Sequence, residues 1–334
     1  MLVFQLAVLG KLLSSLLLLP TLELSPPGVS AAPLPAAGPL NVRDFGAVGT
    51  GTVDDGPAIQ KAIDAAQDNS DSGGAGEGMG RAVYFPSGRY LINKTLTVAN
   101  THEWDNHSHA VSRPVRLFGD GMLQSKLIAG VPMDAVLRVT GSITPAVPDT
   151  ISSGHIIENL QFSAALLANY SVAAPAITRS QVRYCMFVDA RVAGLVMNGW
   201  INEIFECHFK DNLVGLHLGD NLLSRDTSVN SVNVIDGNFE RNYGVGLIVN
   251  SGVMVRIEGN CFEAQGGPAI IASNVGALTL RSNYFEENNR YANQSKRFGF
   301  VGHASGQAEA VCTDILVRMN TRGFQSLLNC FSLY

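Results

Sequence analysis

The sequence predicts an all-β solenoid, a single-stranded parallel β-helix with a capping helix near its N-terminus. The first observation is a phenylalanine that recurs at spacings of 25, 22, 30, 23 and 23 residues, at Phe162, Phe187, Phe209, Phe239, Phe262 and Phe285. The second is an aliphatic residue five positions before each, at Ile157, Val182, Ile204, Val234, Ile257 and Leu280. Offsets kept over six copies indicate a unit too short to bury its own apolar face, which therefore stacks on its neighbours.

Each repeat is predicted to consist of short strands separated by turns. Apolar and polar residues alternate with a period near two in 253–262 and 277–285, and Gly or Asn interrupts the runs. A second apolar cluster follows each Phe by about eight residues, at Leu195, Leu216, Leu247 and Ile270. We expect stacked columns in which neighbouring coils lie ~4.8 Å apart. The Leu and Asn framework of a leucine-rich repeat is missing.

The position two residues before each Phe predicts an internal turn ladder. It holds Leu160, Cys185, Cys207, Gly237, Asn260 and Asn283. Asn side chains at such a turn bond backbone groups of the neighbouring coil. Cys185 and Cys207 lie one coil apart, so they either form a disulfide or stack as free thiols. The five cysteines suggest neither a disulfide scaffold nor a zinc site.

The N-terminus predicts a secreted protein. A leucine-rich run at 12–19 is followed by small residues up to Ala32, which predicts a signal peptide over 1–32. An uncleaved membrane anchor is the alternative, but the run is short for a span, so we expect no membrane span in the mature chain. Residues 33–40 are predicted as a linker and 41–334 as the β-helix. Four sequons predict surface glycosylation, at Asn93, Asn106, Asn169 and Asn293.

Charge and length narrow the class of partner. The chain has 334 residues, a formal net charge of −5 and an isoelectric point of about 5.8. This balance excludes the usual nucleic-acid-binding classes, so no nucleic-acid partner is expected. The length suffices for one long solenoid, and no oligomeric state is predicted.

The segment that opens the solenoid reads as a strand, a turn and a capping helix. The strand ends at Phe45, and a Gly-rich turn leads to Asp54 or Asp55 as the helix cap, with Pro57 in the first turn. Ile59 and Ile63 lie on one helical face, where we expect them to plug the open end of the solenoid. Residues 82–92 then read as strand, turn and strand.

These two segments closely resemble the pectate-lyase-like superfamily of right-handed parallel β-helices, and in particular its rhamnogalacturonase/epimerase-type branch. The branch opens with a pattern like V-x-D-F-G-A-x-G-D-G-x-x-D-D-x-x-A-I-Q-x-A-I, matched at 42–63, and continues with V-x-F-P-x-G-x-Y, matched at 83–90. One departure is Thr50, where that pattern commonly has Asp. With the repeats, the resemblance covers roughly residues 40–320.

The resemblance implies the fold and leaves the reaction open. Members of the superfamily include glycoside hydrolases, polysaccharide lyases, uronan epimerases, phage tailspikes and proteins with no shown activity. Its polygalacturonases carry Asn-Thr-Asp and Gly-His-Gly, which are absent here, and Arg256-Ile257-Glu258 replaces their Arg-Ile-Lys. A standard polygalacturonase is therefore excluded. The resemblance also places Asp54 and Asp55 at the cap rather than in a catalytic dyad.

The candidate site is a column of residues that each follow a repeat Phe and therefore point outward. It holds Val188, Lys210, Glu240, Glu263 and Glu286. Carboxylates one coil apart match the ~5 Å separation in retaining glycosidases, and two coils approach the inverting range. Their mutual repulsion is expected to raise at least one pKa, as a general acid requires. The next position holds Asp189, Asp211, Arg241 and Glu287. The carboxylates of this strip are oxygen ligands of the kind that Ca²⁺ prefers, so Ca²⁺ is the cofactor that the sequence suggests.

Two other interpretations stay open for the same strip. A lyase or epimerase needs a base beside a uronate carboxylate and a cation to neutralise it, for which Lys210 and Arg241 are available. Alternatively, the acids are outer-face decoration neutralised by those cations. The predicted function is thus a secreted hydrolase or lyase for an acidic polysaccharide, with Glu240, Glu263, Glu286, Asp211 and Arg241 as catalytic candidates. The alternative is a carbohydrate-binding β-helix without catalysis.

The repeats also predict an ion pair, an inserted loop and the state of the C-terminal end. Glu258 and Arg281 share a repeat position on successive coils and are predicted to form a cross-strand ion pair. The 30-residue spacing predicts an inserted loop near 219–230. Ile315–Asn320 begins another coil, but 326–334 shows no cap, which predicts a truncated or degenerate end to the solenoid.

Overall fold

The computed structural model of the chain describes residues 38–67, 80–99, 114–140, 152–219, 229–290, 309–311 and 315–318. The predicted signal peptide at 1–32, the start of the linker, and the sequons at Asn106 and Asn293 lie outside these residues. Most of the predicted loop insertion, at 220–228, and the predicted uncapped end at 326–334 also lie outside them. No helix within the described ranges is long and apolar enough to cross a bilayer.

The secondary structure is almost entirely short strands. The strands of the described residues are β1 (Leu40–Asn41), β2 (Thr50–Asp54), β3 (Ala82–Phe85), β4 (Gly88–Ile92), β5 (Leu96–Ala99), β6 (Arg116–Gly119), β7 (Ser125–Ala129), β8 (Met133–Thr140), β9 (Ser152–Ser153), β10 (Ile156–Glu158), β11 (Gln161–Ser163), β12 (Ala168–Thr178), β13 (Gln181–Arg183), β14 (Met186–Val188), β15 (Ala193–Trp200), β16 (Glu203–Phe205), β17 (His208–Lys210), β18 (Val214–Leu218), β19 (Val229–Ile235), β20 (Asn238–Glu240), β21 (Val245–Val249), β22 (Gly252–Glu258), β23 (Cys261–Glu263), β24 (Ile270–Ser273), β25 (Leu278–Arg281), β26 (Tyr284–Glu286), β27 (Glu309–Val311) and β28 (Ile315–Arg318). A 3₁₀ turn at Val42–Phe45 and one α-helix, α1 (Gly56–Gln67), complete the described elements.

The strands stack coil upon coil in two parallel sheets. A nine-stranded sheet runs β2-β4-β7-β11-β14-β17-β20-β23-β26. A nineteen-stranded sheet contains two further runs, β1-β3-β6-β10-β13-β16-β19-β22-β25 and β5-β8-β12-β15-β18-β21-β24-β28, joined through long strands such as β12 and β15. Successive strands of a run belong to successive coils, so the predicted right-handed parallel β-helix is confirmed.

The predicted columns are present and fill the core. The six repeat phenylalanines pair in register, and neighbouring rings stack with centroids 5.8, 5.1, 4.7, 4.5 and 5.3 Å apart and interplanar angles of 8 to 13°. The aliphatic column pairs in register too, from Ile157 to Leu280. Five of the phenylalanines are fully buried. Offset stacking adds to the hydrophobic gain of burying each ring.

The predicted turn ladder is confirmed. Asn260 Oδ1 accepts from the Gly237 amide at 2.8 Å, while its Nδ2 donates to the carbonyl of Val234 at 3.0 Å. Asn283 repeats the arrangement by accepting from the Asn260 amide at 3.0 Å. Cys185 and Cys207 occupy earlier rungs as free, buried thiols that donate to backbone carbonyls. Of the two alternatives for this cysteine pair, the structure has the stacked thiols.

A second ladder lies three residues after each of the last four repeat phenylalanines. Its members are Asn212, Asn242, Gln265 and Asn288, all buried. Asn242 accepts from the Asn212 amide at 3.2 Å and donates to the Phe209 carbonyl at 3.1 Å. Buried polar groups are costly unless paired, and each side chain here satisfies backbone groups that the turn leaves open. This ladder fixes the turn that carries the outer-face residues Asp211 and Arg241.

The capping helix α1 lies where the sequence predicts it, and Asp54 and Asp55 have different roles beside it. Asp54 Oδ1 accepts from the Gly56 amide at 3.0 Å and caps α1. Asp55 is buried, and its carboxylate instead accepts from Val48 and Gly49 amides at 2.6 and 3.1 Å, which holds the Gly-rich turn. Ile59 and Ile63 are fully buried in the main core cluster.

At the C-terminal side, β28 pairs in parallel with β24, so the predicted further coil is present as a strand of the second run. Within the described residues β27 pairs antiparallel with β28, unlike the other strand pairs.

Candidate functional site

The predicted outer column lies on the outside of the nine-stranded sheet. Val188, Lys210, Glu240, Glu263 and Glu286 pair in register on β14, β17, β20, β23 and β26. Because the adjacent Phe points into the core, strand alternation places these side chains on the outer face. The three glutamates therefore occupy one line on successive coils, as the sequence predicts.

Glu240 is the centre of an ionic cluster. Its Oε1 lies 3.1 Å from Lys210 Nζ and 2.9 Å from an Arg241 guanidinium nitrogen, and its Oε2 lies 3.2 Å from His208 Nε2. The Glu240 side chain is only 19% exposed. Charge-assisted contacts of this kind strengthen as water is excluded. Glu240 is thus a fixed, partly buried carboxylate rather than a loose surface acid.

The sequence analysis expects at least one raised pKa in the glutamate column, and Glu240 is not the group that shows it. Partial burial raises the pKa of Glu240, but the hydrogen bond and charge of Lys210, together with Arg241 and His208, outweigh it. The pKa therefore lies below the usual glutamate value. The physical reason is that the cations from the same strip are closer to this carboxylate than the neighbouring acids are.

Glu263 and Glu286 are exposed and continue the column. Tyr284 donates its hydroxyl to Glu286 Oε2 at 2.9 Å, and this bond raises the pKa of Tyr284. Burial raises the pKa of Cys261, and the carboxylates of Glu263 and Glu286 add to the rise. This end of the column is a carboxylate-rich, solvent-facing surface.

The neighbouring strip is a row of left-handed turn residues. Asp189, Asp211 and Arg241 have φ of 60°, 56° and 52° at equivalent positions of successive coils. Arg241 donates to both Asp211 oxygens, at 3.2 and 3.1 Å, so one fork spans two coils. Such bidentate pairs fix geometry as well as charge.

Asp189 is the carboxyl group whose pKa is raised. Burial raises the pKa of the half-buried Asp189, and the negative charge of Asp211 on the next coil raises it further. Asp189 and Glu240 therefore differ in the direction of their pKa shifts, although they lie only two coils apart.

His208 is a site residue that the sequence analysis did not select. It precedes Phe209 on β17, so it lies on the outer face beside Lys210, against the Glu240 carboxylate. Burial lowers the pKa of His208 despite the nearby Glu240, which keeps the imidazole neutral at pH 7. The available signal was its position one residue before the Phe, which also faces outward.

In the described part of the chain, no group of three His, Cys, Asp or Glu side chains converges as a metal site would require. Ca²⁺ binding to the strip stays a prediction.

The N-terminal part of the chain matches the family described as rhamnogalacturonase A/epimerase, pectate lyase-like, over residues 40–134. Over 59 residues the chain is 49% identical to mannuronan C5-epimerase AlgE3 of Azotobacter vinelandii, which covers 18% of this chain and 3% of that protein. Over 65 residues it is 45% identical to plasmin and fibronectin-binding protein A of Streptococcus pneumoniae, covering 19% and 8%. The chain thus spans less than a tenth of the length of these curated relatives.

Solved structures share the fold along most of the chain. The Streptococcus pneumoniae surface protein and adhesin PfbA superposes with a TM-score of 0.56 at 15% identity, covering 74% of this chain and 66% of that one. The ORF18 protein of Geobacillus virus E2 superposes with a TM-score of 0.53 at 18% identity, covering 73% and 49%. The stacked coils make the chain a right-handed parallel β-helix protein, and its N-terminal end resembles the pectate-lyase-like superfamily.

Proposed function

We propose that the protein acts outside the cell as a glycoside hydrolase on a uronic-acid-containing polysaccharide, at the outer face of the nine-stranded sheet. The observation that carries this proposal is the raised pKa of Asp189 next to Asp211, a carboxylate that the bidentate Arg241 fork holds one coil away. Glycoside hydrolysis requires one protonated and one ionised carboxyl group flanking the scissile bond.

Asp189 is the proposed general acid, which protonates the leaving oxygen. Asp211 is the proposed nucleophile, because it lies one coil away, where the rise of ~4.8 Å fits the spacing in retaining enzymes. The Arg241 fork fixes the orientation of Asp211. Asp211 in turn opposes ionisation of Asp189, so the two carboxyl groups support each other's role.

The cations of the cluster suit an acidic substrate. Lys210 and Arg241 stand on the same face, and the Arg241 side chain is 48% exposed, so its remaining donors are available to a uronate carboxylate. Glu263 and Glu286 continue the same outer face, where their carboxylates accept hydrogen bonds from sugar hydroxyls. The relative named mannuronan C5-epimerase supports a uronan as the substrate class, and the named surface adhesin supports an extracellular location.

A lyase or epimerase is the second candidate, and His208 favours it. A neutral imidazole beside Lys210 is suited to remove the proton next to a uronate carboxylate whose charge the lysine neutralises. In that reaction Asp189 would be dispensable and His208 essential.

The test is a product assay on polygalacturonate, alginate and a neutral β-glucan, with and without Ca²⁺. We expect new reducing ends from an acidic substrate, with retained anomeric configuration and no ultraviolet absorbance from unsaturated uronates. Asp189→Asn should abolish this activity, whereas Glu287→Gln, an exposed acid at an equivalent turn, should keep it. Unsaturated products, or C5 inversion seen by NMR, that depend on His208 would favour the second candidate. Binding without any product would leave a carbohydrate-binding β-helix.

A further inference from the structure

A second outward column runs along the nineteen-stranded sheet, on a different face of the solenoid. Its members pair in register from coil to coil: Tyr84, Phe118, Glu158, Arg183, Phe205, Ile235, Glu258 and Arg281. Along this line, Tyr84 and Phe118 precede one Glu–Arg pair, and Phe205 and Ile235 precede a second. From Phe118 to Arg281 this column rises six coils, or about 29 Å.

Glu158 is a buried acid that holds two surface arginines. Its side chain is 4% exposed, and it accepts from Arg116 Nε at 2.5 Å and from Arg183 Nε at 2.6 Å. The Arg116 and Arg183 side chains remain 49% and 33% exposed. A glutamate is rarely buried this far unless it is paired, and here its carboxylate fixes one guanidinium on each side of itself. Two arginines and one glutamate leave this triad with a net charge of +1 at the surface.

The same design recurs four coils further along. Glu258 contacts Arg256 on its own strand and Arg281 on the next coil, the latter at 3.4 Å, which confirms the predicted cross-strand pair. The Arg256 and Arg281 side chains are 48% and 68% exposed. This second triad again leaves one excess positive charge at the surface.

Aromatic rings lie between and beside the two triads. The rings of Tyr84 and Phe118 stack with centroids 5.1 Å apart, and the Arg116 guanidinium lies 4.7 Å over Phe118. Tyr84 is held in place by a 2.6 Å hydrogen bond to Asp120. Phe205, between the triads, packs edge-on against Tyr184 at 5.6 Å. These rings are only half-buried, so each presents an apolar edge or face to solvent.

We infer that this column is a second glycan-binding surface, which holds an anionic polysaccharide along the solenoid axis. The two arginine triads bind carboxylate or sulfate groups through the guanidinium donors that Glu158 and Glu258 leave free. Phe205, between the two triads, and Phe118, beside the first, supply apolar surface for the sugar rings. The surface is separate from the ionic cluster of the nine-stranded sheet, and its role is binding rather than cleavage. It does not depend on the proposed hydrolysis.

Fixed guanidiniums suit this role better than freely rotating ones would. The arginines bonded to Glu158 and Glu258 lose less conformational freedom when they bind an anion, so more of the contact energy appears as affinity. Once one arginine triad has bound an anionic group, the polymer keeps its other anionic groups at a high local concentration near the second triad. A long anionic chain should therefore bind more tightly than a short one, and a neutral chain should bind weakly.

The test measures the affinity of the full chain in the Asp189→Asn background, with polygalacturonate oligomers, heparin oligomers and a neutral β-glucan as probes. We expect both anionic chains, or one of them, to bind, and the sulfated and carboxylated probes identify the preferred group. Arg281→Gln removes an exposed arginine without exposing a buried charge, and it should weaken Kd about tenfold. Arg89→Gln, an exposed arginine on the nine-stranded sheet, should leave Kd within twofold.

Glu158→Gln combined with Arg183→Gln tests the first triad with its buried groups kept neutral and hydrogen-bonding. It should also weaken Kd about tenfold, with an unchanged circular dichroism spectrum. Cleavage of short oligomers by the protein that retains Asp189 should be unaffected by Arg281→Gln, which separates failure of this inference from failure of the proposed hydrolysis. Equal losses in Arg281→Gln and Arg89→Gln, or equal binding of the neutral glucan, would overturn the inference.

Discussion

Replacing Phe239 by alanine should destabilise the solenoid by about 4 kcal/mol. Phe239 is fully buried and stacks on Phe209 and Phe262 at 4.7 and 4.5 Å, the two shortest ring spacings of the column. Truncating a buried Phe costs about 3–5 kcal/mol, since it loses burial and leaves a cavity. Residues on the coils above and below are held in register by their ladders and cannot collapse inward, which places the loss in the upper half of that range.

The assay is equilibrium unfolding in urea, followed by far-ultraviolet circular dichroism, with midpoints compared at a common slope. Phe239→Leu retains most of the volume and should cost less than about 1.5 kcal/mol. The matched control is Tyr243→Ala, because Tyr243 lies in the same coil with a side chain 48% exposed. That control should change stability by no more than about 0.5 kcal/mol.

A cost below about 1 kcal/mol for Phe239→Ala would refute the reasoning, because such a value suits a partly exposed ring. Equal costs for Phe239→Ala and Tyr243→Ala would have the same meaning. Either result would show that the phenylalanine column does not carry the stability assigned to it.

Three further predictions concern the proposed general acid, the second ladder and a buried histidine. Asp189→Asn should lower kcat/KM for reducing-end release by about 10²- to 10⁴-fold while the unfolding midpoint stays unchanged; a fall below fivefold would remove Asp189 from the mechanism. Asn242→Ala removes the bonds to the Asn212 amide and the Phe209 carbonyl and should cost about 2–3 kcal/mol in urea unfolding, whereas Asn230→Ala at an exposed position should be neutral. Burial lowers the pKa of His155 to about 4. The unfolded chain therefore binds a proton at His155 near pH 6.5, whereas the folded chain binds it only near pH 4. The free energy of unfolding should fall by up to about 3 kcal/mol as pH drops from 6.5 to 4. His155→Gln should flatten that part of the unfolding profile, and an unchanged slope would contradict the assignment.

The columns were predictable from sequence because residues one repeat apart in a solenoid lie next to each other on adjacent coils. Once Phe209 and Phe239 occupy equivalent positions, strand alternation also decides that Lys210 and Glu240 face outward next to each other. The turn ladder followed for the same reason, since Asn260 and Asn283 keep the same offset from their phenylalanines. The whole repeat is therefore specified by local spacing.

The contents of the candidate site were less predictable, because they depend on contacts between columns. The spacing places Glu240 among acids, but the structure turns Lys210, Arg241 and His208 onto it, so its pKa falls rather than rises. Asp189 lies in the adjacent strip, and the burial that raises its pKa cannot be deduced from the repeat spacing.

The Glu158 triad was missed for another reason. Arg116 and Glu158 are 42 residues apart, across a coil of irregular length that breaks the 23-residue spacing. Repeat offsets therefore could not place Arg116 beside Glu158. Glu158 and Arg183, by contrast, each follow a repeat aliphatic directly, as Glu258 and Arg281 do, so that half of the triad could be predicted from the repeats.

The most direct test of the central claim is a titration of the side-chain carboxyl carbons of Asp189 and Glu240 by ¹³C NMR in the intact protein. The predicted result is a pKa above the ordinary aspartate value for Asp189 and below the ordinary glutamate value for Glu240. In Asp211→Asn, the pKa of Asp189 should fall because one of its two causes is gone, while burial keeps it raised. If Asp189 titrates at or below the ordinary value, the site has no general acid at that position and the proposed hydrolysis is contradicted.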